Sequence, residues 1–144
     1  MEEKNNAISS QVEKTHVMNI QDKTNIYVEL AKAWGSALNR GDSKTANKYH
    51  RKLSKFVLEI EKDKSLSEAL FLPLLDHADL SVKYWTIVEA FRLGISVNKA
   101  EQLLQAIVSD PIVDPSIGGI KSMAYIILLE WKKDKSERKI FLGE

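Results

Sequence analysis

The segment Leu80–Leu93 constrains this chain more than any other. As a helix it carries one apolar stripe of Val82, Thr86, Ala90 and Leu93, and Tyr84, Ile87, Val88 and Phe91 widen that stripe past a single face. A helix apolar nearly all round has to lie between neighbours, so this one is expected at the centre of the domain. The chain enters it through Leu74-Leu75-Asp76-His77-Ala78-Asp79. It turns at His77-Ala78, Asp79 is placed as an N-cap, and Gly94 supplies the stop. The whole reads as a helical hairpin with a buried second helix.

The flanking segments repeat the pattern. Ile26, Leu30, Ala33, Trp34, Ala37 and Leu38 follow the helical period, with Asp22 or Thr24 as the expected start and Gly41 as the stop. Asp42 or Ser43 caps a second helix whose inward residues are Ala46, Tyr49, Leu53, Phe56, Val57 and Ile60. The short Gly41-Asp42 link forces these two helices to pack antiparallel. Ser67 to Leu75 predicts a shorter helix bent near residues 69–73 by Pro73. Ser96 is the expected cap of a helix with Ala100, Leu103, Leu104, Ile107 and Val108 inward, ended by Asp110-Pro111. A loop over Pro111–Gly119 follows, then a helix capped by Ser116 that turns Ile120, Met123, Ala124, Ile127, Leu128 and Trp131 inward. No segment reads as a strand. The expected organisation is a polar segment over 1–22 with loose helical spacing at Ile8, Val12, His16 and Ile20, a helical-repeat domain over 23–134, and a mixed-charge tail over 135–144. The domain divides into three hairpins, 24–62, 67–93 and 97–131, the number at which stacked units bury a continuous core.

Composition removes several function classes. Lys and Arg total 21 against 20 Asp and Glu, so no global field draws the chain to nucleic acid or to an anionic membrane. The absence of cysteine excludes disulfides, thiolate metal sites and cysteine nucleophiles. The longest apolar run, Met123–Leu129, is far short of the roughly 20 residues of a membrane span. The polar start Met1–Asn6 leads into no signal-peptide core, so a cytoplasmic location is expected.

Candidate chemistry is sparse. His16, His50 and His77 share no ligand spacing, no G-x-S-x-G elbow occurs, and Gly118-Gly119 lacks the lysine and the preceding strand of a phosphate loop. No catalytic residue, cofactor or metal is expected. His77 and Asp79 are explained by turn and cap, and Glu89 and Arg92 stand at the spacing of a helical salt bridge. One charge cluster stands out. Lys44, Lys48, Arg51, Lys52 and Lys55 share the outward side of one helix, while residues 59–79 lean acidic. Trp34, Trp85 and Trp131 fall one to each hairpin, and each is expected in or near the core. Trp85 is the one whose exposure would make it a binding hot spot.

Residues 27–132 also resemble an uncharacterised bacterial domain-of-unknown-function family with a HEAT-like alpha-alpha superhelix. The resemblance is carried by Ala46-Asn47-Lys48, by Leu72-Pro73-Leu74-Leu75-Asp76-His77-Ala78-Asp79 with Val82-Lys83, and by Ala124 through Leu128 to Trp131. Tyr84-Trp85-Thr86 departs from it, since smaller residues are usual there. The resemblance implies a right-handed, HEAT/armadillo-like stack and supplies no catalytic residues. Similar small helical-repeat proteins include immunity proteins that neutralise bacterial toxins. The expected function is therefore a non-enzymatic protein-interaction module, immunity- or antitoxin-like in its most concrete form. Its contact candidates are Lys44, Lys48, Arg51, Lys52, Lys55, His77 and Trp85. The alternative expectation is a nucleic-acid-binding HEAT-like protein that uses the Lys44–Lys55 basic ridge.

Overall fold

A computed structural model describes residues 2–111 and 119–142, with side chains described over 20–111 and 119–136. The fold is all-α. Among the described residues six helices run in the order α1 (Glu2–Asn39), α2 (Ser43–Glu61), α3 (Lys64–Leu74), α4 (Leu80–Leu93), α5 (Val97–Ser109) and α6 (Ile120–Leu142), with no strand.

Local chemistry sets the helix ends. Gly41 stands at φ +71, a left-handed geometry that an L side chain rarely adopts. Gly41 N–H then reaches Leu38 O at 3.0 Å and Asp42 N–H reaches Ala37 O at 2.9 Å, which closes α1. The same Asp42 opens α2, its carboxylate accepting from Thr45 N at 3.1 Å and from Thr45 Oγ1 at 2.6 Å. These bonds hold the Asp42 carboxyl below its usual range, the Thr45 hydroxyl first and the Thr45 amide second. Asp79 caps α4 as expected, accepting from Ser81 N at 2.9 Å and Val82 N at 3.2 Å.

Several boundaries differ from the sequence expectation. The first helix does not start at Asp22 or Thr24 but runs unbroken from Glu2, and Thr24 Oγ1 donates back to Ile20 O at 2.7 Å. That is the bond of a threonine inside a helix, where its hydroxyl has no free amide to cap. The side chains of Ile8, Val12 and His16 lie outside the described residues. The third helix begins at Lys64 instead of Ser67, because Asp63 accepts from Leu66 N at 3.1 Å and provides an earlier cap. Pro73 sits inside its last turn. Ser96 precedes α5 but makes no side-chain cap; its φ of 44 places it in the left-handed region instead of the extended geometry that aims a hydroxyl at the first-turn amides. The last helix continues to Leu142. The expected Ser116 cap lies outside the described residues, as does most of the loop before it.

Consecutive helices pack on one another, and α4 also packs on α1 and α6. The buried set draws on every helix: Tyr27, Leu53, Phe71, Ile87, Leu104 and Leu128 are each at most 4% exposed. Helix α4 alone buries eight residues, among them Ser81, Thr86 and Glu89. The approach of α1 to α4 depends on Gly35, where an added Cβ would overlap Ser81 Oγ and lie 2.6 Å from Ser81 Cβ. Nearby, Thr86 Oγ1 donates to Val82 O at 2.7 Å and so accepts from Tyr27 OH at 3.2 Å. This buried pair pins α1 to α4. Burial is the main cause that raises the Tyr27 hydroxyl far above its ordinary value.

Candidate functional site

Two surfaces have the chemistry to bind something, and they lie on different sides of α2. The outer side carries Lys44, Lys48, Arg51, Lys52 and Lys55, all exposed. Their spacing sets them within about one third of the helix circumference, opposite the buried Ala46, Leu53, Val57 and Ile60. None of the five forms an ion pair among the described residues. Lys48 and Lys52 instead hold their ammonium groups 5.9 and 5.6 Å from the Tyr49 ring centre. The cations elsewhere are largely engaged: Lys62 with Glu59 at 3.0 Å, Lys99 with Asp76 at 2.6 Å, and Lys135 with Glu101 at 3.3 Å.

The second surface is a groove along α4. Trp85, Val88, Glu89 and Arg92 stand at the i, i+3, i+4, i+7 positions of one helical face and line it. His50 and Ser54 form the α2 wall, Met123 and Ile127 the α6 wall, and Trp34 of α1 with Tyr84 of α4 complete a cavity of about 310 Å³. A second hollow of about 250 Å³ continues from it past Val88, Arg92 and Ile127, and adds Phe91, Glu130, Trp131 and Asp134. The ring packing is specific. Trp34 stacks on Tyr84 with centroids 5.8 Å apart and meets Trp85 edge-on at 5.6 Å. Phe91 stacks on Trp131 at 4.4 Å. The His50 ring lies 5.2 Å from Trp85. The Trp85 Nε1–H is buried and has no acceptor among the described residues.

The floor of this groove holds the most perturbed carboxyl of the site. Arg92 Nη1 donates to both Glu89 oxygens at 3.2 and 3.1 Å, and its Nη2 donates to Glu61 Oε2 at 3.3 Å. Glu61 Oε1 makes no hydrogen bond although Arg92 Nη1 is 3.2 Å away. One guanidinium thus faces two carboxyls, and the Glu89 side chain is only 2% exposed. Burial pushes Glu89 up to about 8, the neighbouring Glu61 adds to the rise, and Arg92 opposes it. The rise favours the protonated form of Glu89, which can donate to the neighbouring Glu61 carboxylate. The pair then carries one negative charge against one positive. At the other end, burial and then the charge of Glu130 push the Tyr84 hydroxyl up to about 12.

No family model, no curated protein and no solved structure matches this chain. Its site residues are therefore placed by geometry alone. Of those singled out in the sequence, the five basic residues share one exposed face. His77 is half-buried in the α3–α4 turn, where its Nδ1 accepts from Asp79 N at 2.9 Å. Trp85 is 7% exposed and faces the groove, so it presents little area to a macromolecule. These three features do not form one site. The Glu61–Glu89–Arg92 cluster was visible in the sequence only as a local Glu89–Arg92 pair. The signal that pointed further was a lone carboxylate on a helix otherwise apolar on two faces. Among the described residues no helix is long and apolar enough to cross a membrane, and no group of His, Asp and Glu is arranged to hold a metal ion.

Proposed function

We propose that this protein is a non-enzymatic binding module that docks an acidic protein surface on the outer face of α2. The carrying observation is the segregation of charge: five exposed cations without ion pairs occupy one face, while the α2 carboxylates Glu59 and Glu61 are turned to Lys62 and Arg92. Such a face steers an oppositely charged partner during encounter and fixes its orientation. In its most concrete form the role is immunity- or antitoxin-like, occluding the active surface of a toxin in the bacterial cytoplasm. The six helices are then three hairpins of a HEAT-like right-handed superhelix of the family resembled by residues 27–132. The packing of α1 on α2, α3 on α4 and α5 on α6 supports that reading.

The test is a charge reversal, K48E/R51E/K55E, used as bait beside the wild-type protein in nuclease-treated lysate of its own cells. The expected result is loss of a specific acidic partner with the fold intact, since exposed substitutions shift stability by under about 0.5 kcal/mol each. Retention of every partner by the variant would remove this role from α2. The alternative is docking of the same face on a nucleic-acid backbone. It predicts duplex-DNA binding that weakens by orders of magnitude from low to moderate salt.

A further inference from the structure

The groove along α4 combines aromatic walls with an excess of carboxyl groups, and together these specify a class of ligand. Its rings come from four helix faces, Trp34 on α1, Tyr84 and Trp85 on α4 with His50 of α2 beside them, and Trp131 on α6. The charged and titratable groups that share the cavity with Glu89 are His50 from α2 and Tyr84 and Arg92 from α4; Glu61 of α2 meets Arg92, the Tyr27 hydroxyl of α1 faces Glu89, and Glu130 and Asp134 of α6 line the adjoining hollow. When Glu61 and Glu89 are both ionised, the buried cluster is one positive charge short. An unpaired charge on a carboxyl as buried as Glu89 is unfavourable, and a proton on Glu89 removes it. A ligand cation would remove it equally, and the ring faces around it attract positive charge.

The geometry points to a binding site for a small organic monocation, an amine or quaternary ammonium on an apolar or aromatic body, seated in the cavity between α1, α2, α4 and α6 with its charge against Glu89. The volume of about 310 Å³ is in the range of small-molecule sites. The Trp85 Nε1–H, buried without an acceptor among the described residues, is available to an oxygen on the ligand body. Binding exchanges the ligand's charge for the proton held by Glu89, and that proton leaves to solvent. Affinity therefore rises with pH, by about tenfold per unit, until Glu89 is ionised in the free protein.

The full chain is titrated with benzyltrimethylammonium chloride by calorimetry at about pH 6, about pH 7 and about pH 8.5, in buffers of differing ionisation enthalpy, with benzoate as the anionic control of equal ring size. The expected result is cation binding that tightens about tenfold per unit between about pH 6 and about pH 8, with release of one proton, and benzoate at least about tenfold weaker. Glu89→Gln keeps the shape and should abolish the proton release and the pH slope. Should that variant fail to fold by circular dichroism, Met123→Trp fills the cavity from the α6 wall with both carboxyls in place, and should abolish binding. No cation binding at any pH, benzoate binding as tight as the cation, or cation binding independent of pH overturns the assignment.

Discussion

Replacing Glu89 with glutamine probes the buried cluster through stability alone. In the folded chain Glu89 keeps its proton up to about pH 8, whereas in the unfolded chain it ionises near 4.5. A carboxyl whose folded-state pKa is raised contributes stability that is fully present below the unfolded value and lost as pH rises through the folded one. The unfolded state releases its proton first, so each pH unit inside that window costs the wild-type protein about 1.4 kcal/mol. From the lower edge of the window to about pH 7 the loss reaches about 3 kcal/mol, an upper bound because Glu61 and Arg92 readjust around the charge. Glutamine cannot ionise. It still offers an N–H to Glu61 Oε1 and a carbonyl to Arg92, so the contacts of the protonated acid survive. The unfolding free energies of wild type and Glu89→Gln, measured in urea across this range, should diverge in favour of the variant as pH rises. In thermal melts the same divergence is several degrees at neutral pH. A difference that stays constant between about pH 4.5 and about pH 8 would falsify the protonated-carboxyl account.

Two structural perturbations test the framework around the groove. Gly35→Ala should cost about 2 kcal/mol or more, because its Cβ overlaps Ser81 and forces α1 off α4; a melt unchanged from wild type would mean that this approach is loose. Asp42→Ala should lower the urea midpoint by removing both bonds to Thr45, and Asp42→Asn should recover most of the loss.

Periodicity and caps made most of the helical layout legible. The α2 core residues Ala46, Leu53, Val57 and Ile60, the Asp79 cap and the central position of α4 follow from spacing that the backbone geometry alone requires. The start of α3 was not legible, because Asp63 and Ser67 are both acceptable caps and only packing chooses between them. The candidate site was legible only in part. The basic face needs no tertiary information, since one helix carries all five residues at spacings that keep them together. The groove needs it entirely. Its walls come from helices whose sequence separation says nothing of distance: Glu61 and Arg92 lie 31 residues apart yet meet at 3.3 Å.

The sequence by itself determined an all-helical chain, its turns and its outward charge, because each depends on neighbours within about one or two helical turns. Only the tertiary structure decided that Glu89 is a buried acid facing Glu61 across one guanidinium, that Trp34 meets Trp85 of α4 edge-on, and that Trp131 stacks on Phe91 of that same helix. Burial and charge balance are sums over everything that packs around a group, and no local pattern carries that sum.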